Sequence, residues 1–347
     1  MPNEYENEPP VEPRSAPFEG VETLSTRDPL LVDAYMARVK LAADFPKVGV
    51  RETGIPELDK IVQFMPGKVY GLIGKPGSGK SALALQVARW WAGQGPTVYV
   101  LTEMTKWECM DRLVASVSHI PMWQINKEPN AAQQQRIREA AEWVNTHVDV
   151  KFVEAHGKAL NWIILEVRRY AHEVGGLRGV VIDNLYGVLH ADGSKGDAFS
   201  VSNKVGEIIK KIERLSMGTQ VGGVDCPILV AHHSNRTAAR GAEADDDQIA
   251  ASNQIAMFLN TVIHIKVTRS FETSGNFDEG GIKRTLRVTK NRGGRSELDI
   301  PVRFIGEQMR FEGSGPAIPF TGPAAPDLEI ERRYRERVAE IAELLPI

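Results

Sequence analysis

The sequence predicts an alternating α/β fold with a mainly parallel central sheet, built around a phosphate-binding loop and completed by a late antiparallel hairpin. Three observations predict it. Residues Gly74, Lys75, Pro76, Gly77, Ser78, Gly79, Lys80 and Ser81 spell G-x-x-x-x-G-K-S between an apolar run, Val69–Ile73, and a helical pattern, Ser81–Trp91. Four more apolar runs of strand length follow at Thr97–Leu101, Val150–Val153, Gly179–Ile182 and Ile228–Ala231. They alternate with helical patterns at Lys106–Ser118, Ala131–Thr146, Leu160–His172 and Val201–Met217. After Ile265 the pattern changes: Thr285–Lys290, Leu298–Phe304 and Met309–Glu312 read as antiparallel strands joined by Gly-rich turns.

Composition bounds the function. The 347 residues are enough for about two domains. A net charge of −3 excludes a protein that coats nucleic acid with its whole surface, but leaves room for a local basic channel. No apolar run approaches the roughly 20 residues of a membrane span, and the N-terminus has no signal-peptide pattern, so a cytoplasmic protein without a membrane partner is expected. Cys109 and Cys226 are not at metal-ligand spacing, which points to a reducing setting.

Taken in order, residues 1–28 interleave prolines with glutamates and read as a disordered acidic tail. Asp28-Pro29 opens a short helix with Leu31, Tyr35 and Val39 at helical spacing, so residues 29–48 form a linker helix that packs on its own domain or on a neighbouring subunit. Residues 49–312 are the core domain. Residues 313–326 are a Pro/Gly linker, and Asp327 caps a last helix over 327–347.

The chemistry begins at the loop. Gly74, Gly77 and Gly79 clear side chains from backbone N–H donors that a phosphate chain needs at close range, and the following helix N-terminus adds partial positive charge. Lys80 is expected on the β- and γ-phosphates of ATP and the Ser81 hydroxyl on Mg²⁺. Val180-Val181-Ile182-Asp183 is an apolar strand ending in a carboxylate, the form of a Walker B element, so Asp183 is expected in the Mg²⁺ shell. Glu103, at the end of the strand after the loop helix, can polarise an attacking water; the alternative is a surface glutamate. His233 ends another buried strand, and a place beside the Walker B strand would bring it near the γ-phosphate. A chance metal site at His232 and His233 is the alternative, without further ligands at the right spacing. Lys290 and Arg292, two residues apart on the late hairpin, would point the same way on a strand; the alternative is a solvated basic turn.

These motifs in this order resemble the C-terminal motor domain of DnaB-type replicative helicases, in the RecA-like ATPase superfamily. The resemblance runs from Thr53-Gly54-Ile55-Pro56-Glu57-Leu58-Asp59-Lys60 through the loop, Leu101-Thr102-Glu103-Met104, Arg112–Ser116, Asp183, His233-Ser234-Asn235-Arg236 and Lys290-Asn291-Arg292-Gly293, over roughly residues 49 to 312. It implies a RecA-like core with Glu103 as catalytic glutamate, Asp183 as Walker B aspartate and His233 as γ-phosphate sensor. It also implies that Lys290 and Arg292 are inserted into a neighbouring subunit's site. The enzyme implied is a homo-hexameric ring that hydrolyses ATP to translocate on single-stranded DNA and unwind duplex during replication, with a helicase loader or replisome protein as a possible partner. The family's N-terminal helical domain has no counterpart in residues 1–48, and the shortened architecture suits a phage-encoded protein.

The resemblance places DNA contacts in two loops: His190–Ser200 with Lys195, and Arg236 to Asp247 with Arg240. The second loop also carries Glu243, Asp245, Asp246 and Asp247. Two other readings share the core: a RecA- or RadA-like recombinase or mediator that forms ATP-dependent DNA filaments, and a KaiC-like regulatory ATPase without a DNA partner.

Overall fold

The phosphate loop leaves a strand that the rest of the molecule encloses. β1 (Val69–Gly74) is buried at every position and sits inside a nine-stranded sheet of order β3-β2-β4-β5-β1-β6-β7-β8-β9. β2 (Thr97–Leu101), β3 (Val150–Glu154), β4 (Gly179–Asp183), β5 (Ile228–His233) and β6 (Thr261–Arg269) run parallel with β1. β7 (Ile282–Asn291), β8 (Leu298–Ile305) and β9 (Arg310–Gly313) extend the sheet antiparallel. The computed structural model describes residues 52–313, except 128, 192–197, 219–221, 234–257 and 270–281, together with residues 32, 35, 36 and 40.

Strands buried on both faces read as continuous apolar runs, and their alternate side chains divide between two cores. Val69, Ile73, Val98, Val100, Val180 and Ile182 face one core, covered by helices Leu160–Val174 and Ala198–Ser216. Tyr70, Leu72, Tyr99, Leu101 and Val181 face the other, covered by helices Lys80–Ala92 and Lys106–Ser118. The result is a three-layer α/β/α stack, with the carboxyl ends of the parallel strands along one edge.

The sequence-predicted strands and long helices recur with ends shifted by at most a few residues, and Thr97–Leu101 and Lys106–Ser118 coincide with the prediction. β6 is the strand that sequence patterning did not mark. His264 and Lys266 interrupt its apolar residues, and burial fades after Ile265. Short helices at Pro56–Asp59, Met122–Ile125 and Leu185–Ala191 are also additions. The predicted first DNA loop begins and ends in helix, because Leu185–Ala191 and Ala198–Ser216 cover its flanks.

One polar device and one close approach tie the antiparallel extension to the phosphate loop and its helix. Gln86, buried on Lys80–Ala92, donates from Nε2 to the Phe311 carbonyl (3.1 Å) and accepts from the Phe311 N–H (2.9 Å), so it pairs with β9 as a strand would. Gly79 has φ +100°, and a Cβ there would lie 2.8 Å from the Phe311 ring, so β9 and the loop meet only because this residue is glycine. Residues 49–326 form one compact unit. Val32, Tyr35, Met36 and Lys40, within the predicted segment 29–48, are helical and exposed. The predicted tail 1–28, linker 313–326 (beyond Gly313) and helix 327–347 lie outside the described residues.

Candidate active site

The phosphate loop follows β1 at the carboxyl edge of the sheet. Gly77 (φ +77°) and Gly79 (φ +100°) adopt backbone angles that side chains disfavour, and a Cβ on Gly74 would lie 2.6 Å from Ser78 Oγ. Lys75 and Pro76 are exposed at the mouth of the loop, whereas Ser78 is buried. Lys80 is only 5% exposed and donates to the Lys75 carbonyl at 2.9 Å, across the loop it is meant to serve. Burial lowers its pKa to about 8, against the pull of Asp183 and Glu103. An ammonium held this way is short of negative charge and suited to receive a polyphosphate.

Asp183 ends β4 opposite Leu101 of β2 and is 4% exposed. Burial raises its pKa, while hydrogen bonds from the Tyr99 and Ser81 hydroxyls, and the charge of Lys80, oppose the rise. The Tyr99 bond to Asp183 Oδ2 is 2.8 Å, and the Tyr99 hydroxyl is itself held well above its ordinary pKa by burial and by the Asp183 charge. A buried carboxylate joined to the loop hydroxyl, its raised pKa only partly offset by the charge of Lys80, fits a divalent cation: Ser81 and Asp183 are oxygen donors of the type Mg²⁺ takes.

Thr102 fastens the ends of β2 and β4 together. Its N–H donates to the Asp183 carbonyl (3.0 Å), and its hydroxyl accepts from the Asn184 N–H (2.8 Å) and donates to the Asn184 carbonyl (3.1 Å). The next residue is Glu103, half exposed and therefore open to water, with Oε2 3.5 Å from His233 Nε2. His233 ends β5 opposite Gly74 of β1. Asn184, joined to Asp183 by a cis peptide bond, places Nδ2 2.9 Å from His233 Nε2 and accepts the Gly187 N–H on Oδ1 at 3.1 Å. Glu103, Lys80, Ser81, Asp183 and His233, drawn from three strand ends and the start of the loop helix, thus converge at one edge. A phosphate cradle, a cation-binding pair and a carboxylate reachable by water can together support phosphoryl transfer to water.

Lys290 and Arg292 are not part of that convergence. Lys290 stands opposite Val262, and Arg292 is the first residue past the end of β7, so the two do not share a strand face as the spacing suggested. The Arg292 N–H donates to the Asn260 carbonyl (3.0 Å), while Asn260 bonds both ways with the backbone of Val69, Oδ1 accepting at 2.9 Å. Val69 begins β1 and Gly74 ends it, so the turn lies at the opposite edge of the sheet, about 17 Å along the strand from the phosphate loop. The Arg292 side chain is exposed.

Lys195, Arg236 and Arg240, the expected DNA contacts, lie outside the described residues. Sequence reasoning passed over Tyr99, Asn184, Asn260 and Arg284. The pleat offered one signal: Tyr99 shares a strand face with Leu101, two residues before the turn to Glu103. The others carry no local signature.

Comparison with known proteins adds a family and a fold. The family model described as DnaB-like helicase C-terminal domain matches residues 49–313. No curated protein matches the chain. Among solved structures, an ATPase domain superposes with a TM-score of 0.67 at 16% identity, over 82% of this chain and 99% of that one. A DnaB-like replicative helicase, solved in a study of its interactions with primase, gives 0.63 at 19% identity, over 84% of this chain and 67% of that one. A KaiC-like protein from the archaeon Pyrococcus horikoshii gives 0.50 at 15% identity, over 77% and 99%.

Proposed function

The chain belongs to the DnaB-like helicase C-terminal domain family, and from that premise we infer that it is an ATP-hydrolysing replicative helicase working as a head-to-tail homo-hexameric ring. Its substrates on this reading are ATP and single-stranded DNA, with Mg²⁺ held by Ser81 and Asp183. The observation that carries the reading is the division of the machinery between two edges. Lys80, Asp183, Glu103 and His233 lie at the carboxyl edge, and Lys290 and Arg292 at the other. Arg292, about 17 Å along the strand from its own loop, with Lys290 about 10 Å from it, is placed to serve not its own nucleotide but that of a neighbour stacked edge to edge.

Each residue then has a task. Loop N–H groups and Lys80 bind and orient the phosphates. Ser81 and Asp183 would hold Mg²⁺, which would supply positive charge to the phosphates. Tyr99 and Ser81 orient Asp183. Glu103 accepts a proton from the attacking water, and His233 contacts the γ-phosphate so that its presence is felt at β5. Arg292, always charged and with planar donors, neutralises the charge that develops on the transferring group in the next subunit. A cytoplasmic location, a phage origin and a loader or replisome partner complete the reading.

Complementation tests it. Lys80→Ala and Arg292→Ala chains should each hydrolyse ATP poorly, since fingers of this type contribute about 10³- to 10⁵-fold. Mixed after subunit exchange, they should recover ATPase, because some interfaces pair an intact Lys80 with an intact Arg292. No recovery at any mixing ratio, with exchange verified, would remove the trans role of Arg292.

A further inference from the structure

β7 has a second functional end. Arg284 lies near its start, opposite Val267 of β6 and Val302 of β8, two residues past the level of Gly74. It is 7% exposed. Its Nε donates to the Ser78 carbonyl of the phosphate loop at 3.1 Å, across 206 residues of sequence, and its guanidinium lies over the Phe304 ring, 4.6 Å from the centroid. A buried cation is costly unless its donors are used. Here one donor is spent on a neutral carbonyl inside the loop that binds the substrate.

That carbonyl is a lever. In a trans peptide the C=O and the following N–H point in opposite directions. Holding the Ser78 oxygen against β7 therefore turns the Gly79 N–H, one of the loop's phosphate donors, away from β7. Conversely, a phosphate that pulls on the Gly79 N–H pulls on Arg284 through the same rigid plane. β7 is hydrogen-bonded on both sides, to β6 and β8, and so transmits displacement as a unit. Its far end is the turn with Lys290 and Arg292, about 20 Å away along the strand.

We propose that Arg284 is a positioning residue that clamps the phosphate loop to β7, so that nucleotide in one subunit sets the stance of the Lys290–Arg292 turn offered to the next. The proposal rests on the reading that this turn serves a neighbouring subunit. It adds a route by which one subunit's nucleotide state reaches the adjoining site.

The test uses full-length chains that all carry Arg292→Ala, so that the turn lacks the guanidinium assigned above to another subunit's nucleotide. This parent is compared with versions that add Arg284→Lys, which keeps the charge, or Arg284→Met, which keeps packing on Phe304 and removes the donor. Two quantities are read: release of a fluorescent ADP, and hydrogen exchange of turn residues 291–297 with and without Mg²⁺-ADP. In the parent, ADP should change exchange in the turn. In both variants ADP release should quicken about tenfold, the loss expected for one hydrogen bond to a charged group, and the turn's response to ADP should vanish. Exchange in helix Lys106–Ser118 should stay as in the parent and reports that the variant is folded; if one variant fails this check, the other decides. Unchanged release, a turn that never responds in the parent, or a response that survives in the folded variants would each overturn the proposal. Every sample lacks Arg292, so a failure here is separate from a failure of complementation.

Discussion

Buried polar residues separate what can be read along a chain from what cannot. Lys80, Ser81, Asp183, Glu103 and His233 were legible because each sits at a fixed place in a motif or at the end of an apolar run. Tyr99, Asn184, Asn260 and Arg284 were not, because their partners lie 84, 49, 191 and 206 residues away and no spacing announces them. Asp59 shows what a motif residue can do outside the chemistry. Its Oδ1 accepts from the Thr53 N–H (2.8 Å) and hydroxyl (2.7 Å), which fastens the entrance of the domain. Burial raises its pKa to about 6, more than the Thr53 hydrogen bonds lower it. The folded state thus binds this proton more tightly than the unfolded chain. Its contribution favours folding at low pH, declines as pH rises from about 4 to about 6, and stays unfavourable above that, by at most about 3 kcal/mol. Asp59→Asn retains the Oδ1 acceptor and removes the charge. Calorimetry should find the variant melting above wild type at pH 7.5, with the difference closing toward pH 4; a variant less stable at both pH values would mean that the carboxylate has a favourable partner.

At the scale of elements, strands buried on both faces announced themselves as apolar runs, and their order along the chain made the parallel sheet readable. β6 escaped because only its first half is enclosed, and Lys266 and Thr268 break the apolar run in the rest. Which strands neighbour which was not legible either, since β1 pairs with β5 and β6 from the far half of the chain. Asn260 is where that long-range pairing is fastened. Asn260→Ala keeps both backbone bonds but leaves the buried Val69 N–H without its side-chain acceptor. Stability should fall by about 1–3 kcal/mol. The Lys290–Arg292 turn should loosen, and on the proposed function kcat for ATP should then drop more than ADP affinity. A loss of stability with kcat unchanged would show that the turn does not take part in hydrolysis.

At the scale of the molecule, a net charge of −3 confines any DNA contact to local cations. Arg236→Ala and Arg240→Ala should each lower the log–log salt slope of single-strand binding by about 0.7 per lost phosphate contact, with basal ATPase retained; an unchanged slope in the double variant would move the contact surface elsewhere. None of the described helices is long and apolar enough to cross a membrane. If the Lys290–Arg292 turn serves a neighbour, as proposed, the opposed edges of the sheet also set an arithmetic of assembly. A head-to-tail contact joins the turn edge of one subunit to the loop edge of the next and completes one site. An open row of subunits has one fewer complete site than it has members, whereas closure makes the two numbers equal. On that reading the seam of an opened ring would be the one place where bound ATP outlives its neighbours, and a ring that must part to admit a strand would carry a persistent ATP at its gap.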